Sequence, residues 1–167
     1  PVTMNTGQAA GVAAALSAKH NMSSRQIEPR FIQAQLARAG VRLSAFPIPD
    51  VPVSSLLRPA AEFVVATKLL IGNLQGQLDF DRLITRAEVG VILLRVNNIS
   101  ANSTTQRFID VTRTHWAFQA LNTLYEKGLT GGCSAQGPKY CPDANLSRRE
   151  LAYFMTRLDP ATNPITL

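Results

Sequence analysis

The chain has 167 residues and 18.1 kDa, room for one ordinary domain or one small domain with an appendage. Its apolar fraction of 46% suffices for a core, while 17% charged residues is below the usual quarter and fits a surface partly covered by a partner. The net charge of +6 carries no basic stripe interleaved with aromatics. Lys and Arg are scattered, Arg148-Arg149 is the one adjacent pair, and a nucleic-acid partner is not expected. No apolar run approaches the length of a membrane span, so no transmembrane segment is expected.

The first element predicted is a helix from about Gly7 to Lys19, made almost wholly of Ala and Gly. Such a helix buries little area of its own, but Gly7 and Gly11 share a face and would let another backbone or a ligand come close. Thr6 is the expected N-cap, which would leave the N–H groups of Gly7, Gln8 and Ala9 free at the positive end of the helix dipole. A second helix is expected from Pro29 to Ala39 with the stripe Phe31, Ile32, Gln35 and Leu36, stopped by Gly40. Three closely spaced prolines, Pro47, Pro49 and Pro52, then predict an extended linker over 46–58 and a domain boundary.

Beyond it lies a repeat. Ile84-Thr85-Arg86-Ala87-Glu88 aligns with Leu146-Ser147-Arg148-Arg149-Glu150, and Val89, Ile92, Leu93 and Val96 match Leu151, Phe154, Met155 and Leu158. Both helices open with a capping box, Thr85 with Glu88 and Ser147 with Glu150. Each is preceded by another predicted helix, about Pro59 to Ile71 and about Thr114 to Lys127, the latter stopped by Gly128. The organisation expected is therefore 1–45, linker 46–58, a helical module over 59–158 and a tail over 159–167, mostly α throughout.

Cys133 and Cys141 stand in a loop rich in Gly, Pro and polar residues. Their spacing suits a local disulfide, which implies an oxidising compartment; two free thiols are the alternative. A zinc site would need two further ligands, and His20 and His115 are not at matching spacing. No Ser/His/Asp or Cys/His constellation and no paired carboxylates suited to acid–base work are discernible, so the chain alone is not expected to be an enzyme.

Two resemblances add to this reading. Thr6-Gly7-Gln8-Ala9-Ala10-Gly11 with its Ala-rich continuation, and the stretch Asn21 to Leu43, resemble the C-terminal segment of FAD-dependent oxidoreductases of the two-dinucleotide-binding-domain kind. The resemblance implies FAD contacts from the backbones of Thr6, Gly7 and Gln8. The Gly-x-Gly-x-x-Gly turn that binds the ADP half of FAD is absent. A larger partner chain carrying that Rossmann motif, and sharing the FAD, is thus implied, with the first two helices completing its flavin domain. Pro1 fits a processed start and a trimmed one equally well.

The second resemblance covers Phe108-Ile109-Asp110-Val111, His115-Trp116-Ala117, Leu124 to Gly132 and Leu146 to Ala152, which in order and spacing resemble an S-layer homology repeat. The insertion Cys133 to Pro142 is similar to a bacterial variant with a paired-cysteine loop. A first copy keeps Ile84 to Glu88 but is expected to lack the Phe-x-Asp-Val start and the His-Trp-Ala opening. In that family three repeats usually form a prism whose grooves bind anionic cell-wall polysaccharide. The resemblance implies Arg86, Trp116 and Arg148 as the polysaccharide-binding candidates. Only two repeats are discernible here, and Arg149 stands where the motif has a small Ala.

Without a ligand, Trp116 reads as a core residue and His115 as a helix-start residue. Glu88 and Glu150 then read as caps, and Arg86 and Arg148 as solvated or acid-paired. The expectation is the C-terminal portion or small subunit of an exported FAD-dependent oxidoreductase: secreted, periplasmic or at the cell surface. The alternatives are a non-catalytic S-layer-type anchor for wall polymer and a structural subunit that binds only its partner chain.

Overall fold

The computed structural model describes residues 2–44, 47–134 and 137–157. The expected tail 159–167, Ala45 at the end of the expected first segment, Phe46 at the start of the expected linker, and Leu158 of the repeat stripe lie outside the described residues. The fold is mostly helical: among the described residues there are six α-helices and no strand, with one isolated antiparallel bridge between Thr85 and Asn145. The helices are α1 (Val2–His20), α2 (Pro29–Arg38), α3 (Arg58–Ala66), α4 (Arg86–Val96), α5 (Phe118–Glu126) and α6 (Arg148–Met155). No described helix is long and apolar enough to cross a membrane.

The chain folds as two compact units, Pro1–Phe80 and Asp81–Leu167. In the first, α1 packs on α2 and α2 on α3; in the second, α4 packs on α5. The division differs from the expected boundary at 46–58. Ile48 and Val51, inside that proline-rich stretch, are buried with Ala61 of α3 against Val65, Leu78 and Phe80. Proline forbids helix but not burial, and these two aliphatic side chains gain more from leaving water than an extended linker would offer.

The same local construction appears in both units. Val51 N–H donates to Ile48 O, Ser55 N–H to Pro52 O and Arg58 N–H to Ser55 O; Val111, His115 and Phe118 repeat the pattern onto Phe108, Thr112 and His115. Asp50 accepts from the N–H groups of Leu78 (2.9 Å) and Asp79 (2.7 Å). Asp110 accepts from those of Tyr140 (2.8 Å) and Cys141 (2.7 Å). Ile48-Pro49-Asp50-Val51 is therefore the first copy's counterpart of Phe108-Ile109-Asp110-Val111. The first copy does not lack this start, as expected from sequence; it carries it with Ile in place of Phe.

Helix ends follow the same rule. Gly128 stops α5 at φ 68°, and Lys68 takes the same left-handed conformation (φ 57°) after α3, which ends at Ala66 rather than near Ile71. α5 starts at Phe118 rather than near Thr114, because residues 112–117 are spent on the turns just described. Both capping boxes form as read: Thr85 with Glu88, Ser147 with Glu150.

The first helix departs most from expectation. α1 begins at Val2, so Thr6 is not its N-cap, and Gly7, Gln8 and Ala9 lie in the helix interior. Nothing in Val2-Thr3-Met4-Asn5 breaks a helix, and an optional cap yields where the chain can go on adding hydrogen-bonded residues. None of the residues from Met4 to His20 is buried, and a Cβ at Gly7 or Gly11 would meet nothing within 4 Å.

Candidate functional site

The second unit holds the site built around the two capping boxes. Its core is the α4–α5 contact: Val89, Leu93 and Leu94 of α4 against Leu121 and Leu124 of α5, with Phe108, Val111 and Tyr140 buried beside them. On this core the start of α4 meets the segment leading into α6. Arg86 N–H donates to Ala144 O, Ala87 N–H to Pro142 O and Leu146 N–H to Ile84 O. This pairing sets the two capping boxes side by side.

Arg86 is consequently drawn inside. It is 3% exposed, donates from Nε to Tyr140 O at 2.8 Å and pairs through Nη1 with Glu150 of the other box. Its guanidinium lies 5.0 Å from the centre of the Tyr140 ring and 5.9 Å from that of Phe154. Burial pushes the Tyr140 hydroxyl well above its ordinary value; it stays a neutral O–H and donates to Arg86 O at 3.0 Å. Glu150 thus serves three donors: the Ser147 hydroxyl, the Ser147 N–H and Arg86.

Those contacts fix the sign of a pH effect. The Ser147 hydroxyl foremost, then its N–H and the Arg86 charge, hold the Glu150 carboxyl below the usual carboxylate range, against the opposing effect of burial. Arg82 does the same for Glu88. A carboxyl depressed in the folded state stabilises above its unfolded value, about 4.3, and loses that contribution as pH falls through the depressed one. The second unit is therefore expected to weaken in acid. Glu150→Gln should lower the denaturation midpoint at pH 7 and approach the parent chain near pH 3; equal losses at both pH values would count against the ion pair as the cause.

Beside this pair lies a cavity of about 440 Å³, lined by Arg86, Thr130, Gly131, Gly132, Cys133, Ser134, Arg149, Glu150, Tyr153 and Phe154. One wall is the loop stapled by the Cys133–Cys141 disulfide. Closing so short a loop contributes about 2–3 kcal/mol, and Cys133 N–H is held on Lys139 O at 2.8 Å. Asp110 and the two sulfurs lie within 4.8 Å of one another. The sulfurs are joined and Asp110 is occupied by two backbone N–H groups, so this cluster is a structural staple. The disulfide suits an oxidising setting such as the extracellular space.

The candidates read from sequence separate. Arg86 lines the cavity but is neutralised by Glu150. Arg148 is exposed at the first position of α6 and does not line the cavity. Trp116 is 64% exposed rather than in the core, stacked on His115 with ring centres 5.8 Å apart. His115 is indeed a helix-start residue: its Nδ1 accepts from Ala117 N–H at 3.1 Å. Ser55 Oγ accepts from Leu57 N–H in the first unit in the same way, and Leu56, the counterpart of Trp116, is 98% exposed. The backbones of Thr6, Gly7 and Gln8 lie inside α1 and not at its N-terminus. Arg149, legible in sequence as half of the one adjacent basic pair and as a departure from a motif but not as a site residue, lines the cavity.

The fold and site define a helical repeat module with a cation-bearing surface cavity. No known protein-family profile matches the chain. It is similar to an endoglucanase of Bacillus sp. (strain KSM-635), 26% identical over 114 residues, which is 68% of this chain and 12% of that protein. It is also similar to endo-1,4-beta-xylanase A of Thermoanaerobacterium saccharolyticum, 26% identical over 98 residues, 59% of this chain and 8% of that protein. The chain thus spans about a tenth of the length of the curated relatives it matches.

Proposed function

We propose that the repeat-bearing part of this chain is a non-catalytic polysaccharide-binding module of the S-layer homology kind, which anchors whatever it is joined to on an anionic cell-wall polymer. The observation that carries this reading is the structural repeat itself. The Asp50 and Asp110 clamps, the paired turns and the two capping boxes reproduce in both copies the pattern on which the resemblance rests. The similarity to small portions of two much larger proteins named as an endoglucanase and a xylanase supports it, because a segment of that size is what a shared accessory module would give. The exposed Trp116 and the cavity beside Arg149 supply an apolar ring and a cation, the two surface features that an acidic sugar polymer needs. The module would act outside the cytoplasm, where its disulfide persists.

The test is sedimentation of the purified chain with insoluble cell-wall preparations. Binding is expected at low salt and should fall several-fold between about 50 mM and 500 mM salt, as charge pairing at an exposed site is screened. A chain that stays in the supernatant at every ionic strength would sink the reading.

A second reading concerns α1, which packs on α2 yet has no buried residue from Met4 to His20 and a surface with open space at Gly7 and Gly11. That surface favours a covering partner, such as the larger FAD-binding chain that the sequence resemblance implies. The residues present do not fit an anion site on the flavin at Thr6–Gln8, because a helix beginning at Val2 has its free N–H groups further toward the N-terminus. A colourless preparation from the native source, running as a single 18.1 kDa chain, would exclude a shared flavin.

A further inference from the structure

We propose that Arg149, and not the motif arginines Arg86 and Arg148, reads the acidic group of the polymer, with the cavity taking one sugar unit that carries an oxyanion. The proposal rests on the polysaccharide-binding reading and names the residue that would give it its charge selectivity. Four arginines stand near the two capping boxes: Arg82 is paired with Glu88 of the first box, and the structure gives the other three each a different state. Arg86 is buried, with its charge balanced by Glu150 and its flat face enclosed by Tyr140 and Phe154; a ligand could use it only by displacing a partner that is already in place. Arg148 lies outside the cavity lining. Arg149 is exposed and lines the cavity, and its side chain makes no hydrogen bond or ion pair among the described residues. Because Arg86 and Glu150 cancel, Arg149 leaves the cavity with a net single positive charge.

The rest of the lining suits a sugar bearing one such charge. Tyr153 also lines the cavity and is fixed by Arg157, which donates to its hydroxyl at 3.0 Å and lies over its ring 4.9 Å from the centre, so an ordered aromatic ring stands in the same cavity as Arg149. Across the cavity, the Thr130 to Ser134 segment offers hydroxyl and backbone groups and is kept in shape by the disulfide. A guanidinium can grip a carboxylate or a phosphate through two parallel hydrogen bonds, so the shared chemistry is an oxyanion on a sugar.

The experiment uses the full chain and the same insoluble wall preparation, in three forms: untreated, with its carboxyls amidated by carbodiimide, and with its phosphates removed by hydrofluoric acid. Arg149→Gln should weaken binding to untreated wall about tenfold or more and flatten the salt dependence, while Arg148→Gln stays within about twofold. Arg149→Lys should restore part of the loss. Weakening of the parent chain by amidation identifies a carboxylate, to whose amidation Arg149→Gln should be insensitive; weakening by hydrofluoric acid with no effect of amidation identifies a phosphate. Thermal unfolding should be unchanged in Arg149→Gln, since the side chain holds nothing else in place. If the parent chain binds and Arg149→Gln binds equally well, the assignment of Arg149 falls while the polysaccharide reading stands. Loss on Arg148→Gln alone would return the role to the motif arginine. A parent chain that fails to bind overturns both.

Discussion

Gly90→Val should be among the most damaging single substitutions in this protein. A Cβ at Gly90 would lie 2.6 Å from Tyr140 Oη, 2.8 Å from Leu121 Cδ2 and 2.9 Å from Leu124 Cδ1. All three neighbours are completely buried, and the Tyr140 hydroxyl is tied to Arg86 O, so none can step aside without disturbing a second contact. Alanine would recover up to about 1 kcal/mol of helix propensity against the crowding. Valine adds two methyls to the clash and gains less propensity, and overpacking of this kind costs about 1–3 kcal/mol or more. The repeat supplies an internal control. Ala152 occupies the same register in α6 and is exposed, so Ala152→Val should change stability by less than about 1 kcal/mol. Urea unfolding of the two variants checks the pair; equal effects would mean that the close approach of α4 to α5 is not what fixes residue 90.

Glu62→Ala is the other large effect expected, and it falls in the first unit. Glu62 is 3% exposed. Its Oε1 accepts from Nε and Nη2 of Arg58, and its Oε2 from the N–H groups of Leu43 and Ser44. Arg58 in turn donates to the carbonyls of Ile48 and Val51, so one ion pair ties α3, the end of the α2 loop and the proline-rich segment together. Removing the carboxylate strands a largely buried guanidinium and two backbone donors, at a cost of about 3–5 kcal/mol. Glu62→Gln keeps an acceptor and should lose less. Hydrogen exchange at the Ser44 amide is the sharper readout, because it reports the first unit alone. An amide as protected in Glu62→Ala as in the parent chain would show that the carboxylate is not what pins this loop.

In the second unit the backbone donors of the corresponding segment go to neutral groups, while the Glu126 carboxylate takes the Ser103 hydroxyl and the Arg107 guanidinium. Asn122 Oδ1 accepts from Arg107 N–H at 2.6 Å, and Thr123 Oγ1 accepts from Ser103 N–H at 3.0 Å. The two copies thus solve one geometric problem with different chemistry. This is why the first copy was so hard to see in the sequence. Its start reads Ile-Pro-Asp-Val instead of Phe-Ile-Asp-Val, its helix stop is Lys68 instead of glycine, and its exposed turn residue is Leu56 instead of Trp116. Each replacement keeps the backbone role and discards the residue type by which a motif is read.

Local rules were legible in the chain. The capping boxes at Thr85 and Ser147, the stops at Gly40 and Gly128, the mostly helical class and the Cys133–Cys141 bridge depend on residues a few positions apart, and sequence spacing determines those interactions directly. The start of α1 is the exception, because a favourable cap at Thr6 does not oblige a helix to begin there.

Which faces meet was decided only by the tertiary structure. The packed pairs are α1 with α2, α2 with α3 and α4 with α5; the last sets the second helix of the first copy against the first helix of the next, so the compact units do not coincide with the repeats seen in sequence. The same packing buries Arg86 against a glutamate 64 positions away and leaves Arg149 at the cavity. Two arginines of equal intrinsic chemistry become a structural strut and an available cation. A charge is balanced or left free by what the fold brings to it, and no pattern of nearest neighbours in sequence carries that information.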